Sequence, residues 1–307
     1  MGLFWSKDQY QGYNIYSMKK YVDKKRIIFN IIVIMMTIIT LMLVIYYVVD
    51  TSLRVKKSKK YAEQIIEYQK QQEEIEKQKE IERQAKIPQL TDVGKEKLKN
   101  IYKSETKVAY LTFDDGPSRN TQQILDILKQ YNIKATFFVL GSQVEIFPET
   151  TNRIYNEGHY IANHGYSHRY SDIYESPEQV LNEYNQCNQI VANTINVPEY
   201  NSHLFRFPGG FVGGKYAQIK KEARTILEQN NILYVDWNSL TGDSEKVNPS
   251  EEYLMNNLQN TTEGKNSLVV LMHDAQAKKV TVDFLPKVIE YLTQQGYEFD
   301  NFYSIIK

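Results

Sequence analysis

From residue 108 to residue 299 the chain alternates short apolar runs with longer stretches of helical periodicity, and this alternation constrains the fold more than any other feature. Strand-length runs lie at 108–113, 135–140 (ATFFVL), 159–162, 204–207, 232–236, 268–272 and 297–299. Between them, apolar residues recur at helical spacing over 120–131, 149–156, 177–197, 215–229, 250–261 and 281–295. Strand, helix, strand in regular succession builds a parallel sheet, because a parallel pair needs a crossover long enough to return to the same edge. Six or seven such units point to a barrel rather than a sandwich.

In a parallel barrel the chemistry gathers at the C-terminal ends of the strands. There this sequence is rich in polar side chains. Asp114 and Asp115 close the first run just before Gly116 and Pro117, and 163–168 (NHGYSH) follows the third. Arg206 with 207–210 (FPGG), Asp236 with Trp237, and His273 with Asp274 close three others. Adjacent strand residues face opposite ways, so the two aspartates are expected to meet different neighbours. The same pair before Gly-Pro also fits plain turn chemistry, with Asp capping the next helix. His164 and His168 are spaced so that both imidazoles can approach one ion, and with a carboxylate they make a three-ligand site open to water. Two loop histidines are equally compatible with ordinary hydrogen bonding. His159 and His203 have no partner of this kind and read as structural.

Ahead of this domain, residues 27–49 are 23 consecutive uncharged positions dominated by Ile, Val, Met and Leu. As a helix they span roughly 34 Å, enough for one bilayer crossing. Tyr46, Tyr47 and the basic run from Arg54 to Lys60 follow where a signal peptide would have its small-residue cleavage site, which favours a retained anchor. Lys19, Lys20, Lys24, Lys25 and Arg26 on the other flank balance that run, so charge leaves the orientation undecided. Residues 51–86 lack Gly and Pro, are rich in Lys, Glu and Gln, and read as a solvated helical stalk without a strict heptad. The expected division is therefore a cytoplasmic tail at 1–26, an anchor at 27–49, a stalk and linker at 50–103 broken by Pro88 and Gly94, and a catalytic domain at 104–307. The 37 basic and 37 acidic side chains cancel, which leaves no nucleic-acid footprint. The lone Cys187 excludes a disulfide framework and reads as a buried small apolar residue.

Taken together, TFDDGP (112–117), HGYSH (164–168), RFPGG (206–210), DW (236–237) and LMH (271–273) resemble, in order, the five motifs of the polysaccharide deacetylases, carbohydrate esterase family 4 with the NodB homology domain. KATFFVLG (134–141), VLMHD (270–274) and TVDFLPKVIEYL (281–292) also look like the peptidoglycan deacetylases of Gram-positive bacteria. The resemblance covers about residues 104–305. It implies an α/β fold, a deformed (β/α) barrel of about seven strands; the one transmembrane helix and helical stalk ahead of it are read from residues 27–86 themselves. It further implies that Asp115, His164 and His168 hold a divalent metal, zinc in the first place with cobalt or manganese as alternatives. Asp114 would be the base, Arg206 would hold the base's carboxylate, and Asp236 would orient the acid His273. Gly209 would offer its backbone N–H to the oxyanion, and Trp237 with Leu271 would line the acetyl pocket.

The implied activity is removal of N-acetyl groups from an envelope glycan, foremost N-acetylglucosamine of peptidoglycan, by a membrane-tethered enzyme acting outside the cell membrane. The alternatives are an O-acetyl esterase or a deacetylase of another polysaccharide (exported poly-N-acetylglucosamine, a chitin-like polymer or xylan), and a catalytically silent glycan-binding module. One departure stands out: where the family commonly carries an aromatic residue, this chain has Gly209, so an apolar wall over the sugar is expected to be missing.

Overall fold

The computed structural model describes residues 15–306, with side chains from residue 21 onward. The tail assigned to 1–26 lies, for its first fourteen positions, outside the described residues. The chain divides into two compact units, Met1–Lys79 and Glu80–Lys307. The first helix, α1 (Ile15–Ala85), carries the uncharged run and the polar stretch after it without a break. It is long and apolar enough to cross a membrane, and none of its most apolar stretch is buried. Pairs such as Arg54 with Asp50 and Lys79 with Glu76 lie at helical spacing on its surface.

The second unit begins earlier than the sequence suggests. A short helix α2 (Asp92–Lys99) starts at Thr91, whose hydroxyl accepts from Gly94 N–H at 3.1 Å. Ile87, Leu98 and Ile101 are buried in the body of this unit, so 87–101 is part of the domain rather than a free linker. Pro88 and Gly94 hid this, because both are chain breakers when read locally.

Beyond α2 the elements run β1 (Val108–Asp114), α3 (Arg119–Gln130), β2 (Thr136–Val139), α4 (Gly141–Ile146), α5 (Pro148–Asn156), β3 (Tyr160–Asn163), α6 (Tyr170–Ile173), α7 (Pro177–Thr194) and β4 (Leu204–Phe205). They continue as α8 (Ala217–Gln229), β5 (Leu233–Tyr234), β6 (Ser239–Leu240), α9 (Glu251–Thr262), β7 (Ser267–His273), α10 (Lys279–Gln294), β8 (Glu298–Asp300) and a 3₁₀ turn at Phe302–Ser304. All strand pairs are parallel, in the order β5-β4-β3-β2-β1-β7-β6. This curled seven-strand sheet is the expected deformed (β/α) barrel. β8 adds to it by pairing with Val108–Tyr110 of β1, below the part of β1 that pairs with β2.

β1 is buried on both faces, which explains its nearly continuous apolar sequence. Ala109, Leu111 and Phe113 face the outer layer, packing with Ile124, Leu125 and Leu128 of α3 and Leu285, Val288 and Ile289 of α10. The alternate residues Tyr110, Thr112 and Asp114 share the opposite, barrel-interior face. The lower interior is filled by Phe302, Ile305 and Ile306 together with Leu98 and Ile101. The Phe302 ring lies 5.4 Å from Tyr110, 6.4 Å from Phe138 and 6.3 Å from Tyr160 by centroids, and is fully buried. Phe302→Ala is therefore expected to cost about 3–5 kcal/mol, because the fixed ring of strands cannot collapse into the void. A thermal melt should show the transition roughly 10 °C lower; an unchanged melting point would mean the plug contributes nothing.

Candidate active site and metal centre

The upper end of the barrel interior is organised by Arg206, which follows β4 and is wholly buried. Its guanidinium lies 3.9 Å from the Phe138 ring centroid and donates to Thr112 Oγ1 and Asp114 Oδ1, both at 2.8 Å. Thr112 and Asp114 are two apart on one strand and so share a face, which lets one planar cation reach both. Nε and Nη2 donate to the carbonyls of Val235 and Asp236 at 3.2 and 3.1 Å. Burial raises the pKa of the Asp114 carboxyl, and the Arg206 charge opposes that rise. The result is a fixed carboxylate with a second oxygen, Oδ2, aimed toward His164 Nε2 at 3.8 Å.

β1 ends at Asp114, and Asp115 sits in the left-handed region with φ 73°. Strand alternation predicted divergent carboxylates. The turn at 115 instead brings Asp115 Oδ1 to 3.5 Å from His164 Nε2 and 3.2 Å from His168 Nε2. His168 also has a positive φ, 55°. Non-glycine residues held this way cost of order 1–3 kcal/mol each, strain that clusters at functional sites. The turn depends on Gly116, because a Cβ there would overlap the carboxylate of Asp274. Asp274 is fully buried, accepts from Thr121 Oγ1 at 2.5 Å, and is pushed up to about 7 by burial.

The donor atoms of Asp115, His164 and His168 all lie within 4.8 Å of one another. Their chemistry fits a divalent cation. Asp115 Oδ1 is buried with no hydrogen-bond partner among the described residues, a costly condition unless something binds it. His164 Nδ1 lies 2.8 Å from the Arg206 carbonyl, which can only accept, so Nδ1 carries the proton and Nε2 presents its lone pair. Burial pulls the pKa of His164 down to about 3, so the ring is neutral as a ligand must be. The loop between the two histidines is tied by Glu183 of α7, a buried carboxylate that accepts from Tyr166 N–H, Ser167 N–H and Ser167 Oγ at 2.5–2.8 Å.

Opposite stands His273 at the end of β7. The expectation that Asp236 orients it is corrected. The partner is Asp243, whose Oδ1 is 2.9 Å from His273 Nδ1 and whose Oδ2 accepts from His273 N–H at 2.7 Å and Thr281 Oγ1 at 2.6 Å. Burial alone would lower the pKa of His273, but the Asp243 carboxylate overrides it and lifts the imidazole to about 9. Asp236 instead accepts from Phe211 N–H at 3.0 Å and so pins the turn at 208–211. A strand-end aspartate beside a tryptophan was visible in the sequence. Asp243 was not, because it lies in the loop that follows the two-residue strand β6.

Asp114, Asp115, His164, His168, Gly209, Trp237, Asp243, Leu271 and His273 line one pocket of about 350 Å³. At Gly209 the Tyr170 hydroxyl occupies the space a Cβ would take, and Tyr170 lines the same pocket. Outside it, His159 Nδ1 accepts from Ala135 N–H at 3.0 Å in the core, His203 Nδ1 lies 2.9 Å from the Asn231 carbonyl, and Cys187 is buried.

The family profile for polysaccharide deacetylase matches residues 102–227. Over 205 residues the chain is 34% identical to a peptidoglycan-N-acetylglucosamine deacetylase of Bacillus cereus, covering 65% of this chain and 71% of that protein. The chain belongs to the polysaccharide deacetylase family. It is thereby a hydrolase of the carbohydrate esterase family 4 fold. The solved catalytic domain of a peptidoglycan N-acetylglucosamine deacetylase from Eubacterium rectale superposes with a TM-score of 0.60 at 32% identity, over 65% of this chain and 90% of that one. A chitin deacetylase of Colletotrichum lindemuthianum is 31% identical over 61% of this chain and 74% of its own length.

Proposed function

We propose that this enzyme removes the N-acetyl group of N-acetylglucosamine in peptidoglycan, with a divalent metal, zinc first, held by Asp115, His164 and His168. The observation that carries this reading is the placement of that donor trio opposite the His273–Asp243 pair, with the Arg206-held carboxylate of Asp114 in the same pocket. When bound, the ion supplies acidified water and a positive charge beside the acyl oxygen. Asp114 accepts the proton of the attacking water as a C–O bond forms at the acyl carbon. Gly209 N–H donates to the oxygen that becomes negative. The charged imidazole of His273 then gives its Nε2 proton to the sugar nitrogen as the C–N bond breaks, leaving acetate and a free amine. Asp243 keeps His273 charged and turned toward the pocket, and Trp237 and Leu271 enclose the acetyl methyl.

The choice of sugar follows the peptidoglycan deacetylases of Bacillus cereus and Eubacterium rectale and the apolar amino-terminal helix, which suits an anchored enzyme working on its own envelope. On this reading the helix spans the cell membrane and the catalytic domain lies outside. Mass spectrometry of muramidase digests, from walls with and without the enzyme, tests it. The expected product lacks one acetyl group on the N-acetylglucosamine residue. Loss from muramic acid, or from chitin or xylan in place of peptidoglycan, would reassign the substrate.

A further inference from the structure

Two hydrogen-bond donors that open into the pocket have no acceptor among the described residues. Gly209 N–H has no acceptor among the described residues, although Gly210 N–H and Phe211 N–H, the next two in the same turn, are satisfied by Phe207 O and Asp236. The Tyr170 hydroxyl likewise has no hydrogen-bond partner among the described residues. The tyrosine hydroxyl at the end of the same short helix, by contrast, is used: Tyr174 donates to Pro208 O at 2.7 Å. Both residues are exposed, Tyr170 by 41%, so the two donors open into the pocket, where water or a bound ligand can take them.

The position of Tyr170 is built rather than incidental. Its ring sits between His168, at 5.7 Å by centroids, and the rings of Tyr174 and Tyr216, at 5.8 and 6.4 Å. The Tyr174–Pro208 bond ties that stack to the turn carrying Gly209, and Gly209 has φ 74° with no room for a side chain because the Tyr170 hydroxyl is there. The backbone N–H of 209 and the hydroxyl of 170 are thus held side by side, next to a residue of the donor trio, in one pocket.

We propose that the Tyr170 hydroxyl is a second donor to the acyl oxygen, paired with Gly209 N–H, so that this enzyme stabilises the developing oxyanion with a side-chain O–H as well as a backbone N–H. The inference rests on the deacetylase reading above. Two donors aimed at one oxygen act most strongly when that oxygen carries negative charge, so the contribution falls on the transition state more than on substrate binding.

The test uses the full chain in detergent, loaded with zinc, with an N-acetylglucosamine pentamer as probe and acetate release as readout. Tyr170→Phe keeps the ring and its packing and removes only the hydroxyl. It should lower kcat by about 10²-fold with KM within about twofold of the parent, and leave zinc affinity and the melting point unchanged. Tyr170→Ala should show the same loss in kcat and in addition a raised KM, since the ring wall goes too. An unaltered kcat in Tyr170→Phe, or an effect confined to KM, overturns the donor role. The two readings separate cleanly. If the parent releases acetate and His164→Ala does not, the deacetylase reading stands whatever Tyr170→Phe does. A parent without acetate release on any acetylated glycan removes both.

Discussion

Asp115→Asn is expected to abolish both zinc binding and acetate release, while Asp114→Asn abolishes release and leaves zinc in place. Asp115 Oδ1 has no hydrogen-bond partner among the described residues and lies 3.5 and 3.2 Å from the Nε2 atoms of His164 and His168, so its charge is spare for a cation. An amide there keeps the shape and removes the only formal negative charge of the trio, and two neutral imidazoles are a poor trap for a divalent ion. Losing a mere supporting hydrogen bond to a metal ligand costs about 10- to 100-fold in affinity, so losing the anionic ligand itself costs more. Asp114, in contrast, has Oδ1 committed to Arg206 at 2.8 Å and its nearer approach to His164 is 3.8 Å. Its removal takes away the base, worth about 10²- to 10⁴-fold in rate. Competition with a chromophoric chelator reads the first quantity and acetate release the second. Asp115→Asn protein with full acetate release would sink the mechanism, and zinc loss in Asp114→Asn but not in Asp115→Asn would exchange the two roles.

The proposed division of labour between neighbouring aspartates rests on residues that were partly legible in the sequence and partly not. The strand periods located β1, β2, β3 and β7 almost to the residue, because each is buried on both faces and so reads as an unbroken apolar run. The runs at 204–207 and 232–236 contain the two-residue strands β4 and β5 but overstate their length, and β6, also of two residues, holds too little sequence to set a period. The motif residues were recognisable because they stand at strand ends. The residues that aim them were not. Glu183 looks like one polar position on an amphipathic helix, and only the fold turns it inward beneath the 164–168 loop. Tyr170 lies two residues past the second histidine and is indistinguishable by sequence from the many other tyrosines, until the turn at Gly209 is seen to leave its space to that hydroxyl. Asp236 was assigned to His273 through the resemblance of Asp236-Trp237 to a family motif, yet its carboxylate accepts from Phe211 N–H. A residue's position at the rim is encoded locally, whereas its partner is decided by loops from other strands.

Asp243→Asn puts that last correction to a quantitative test, and it should shift the pH profile rather than simply slow the enzyme. His273 must be charged to donate a proton. Burial works against the charge, and the Asp243 carboxylate, with smaller help from Asp114 and Asp115, raises the imidazole from 6.5 to about 9. The acid form is therefore fully present below the ordinary histidine range and is lost as pH rises through the raised value, which places the basic limb of kcat/KM at or below 9; a bound cation offsets the Asp114 and Asp115 contributions and moves it downward. With asparagine at 243 the main support of the charge is gone while the burial stays, so the limb should fall to about 6.5 or lower. At pH 8 a move from 9 to 6.5 alone reduces the charged fraction about 30-fold. The amide adds to this when it presents its NH₂ to Nδ1, because that nitrogen must then accept and the ring is held neutral. Asp236→Asn makes the comparison decisive: it should leave the basic limb where it is and act instead through the 208–211 turn, raising KM. If Asp236→Asn moves the limb and Asp243→Asn does not, the pairing seen between Asp243 and His273 plays no part in the proton transfer.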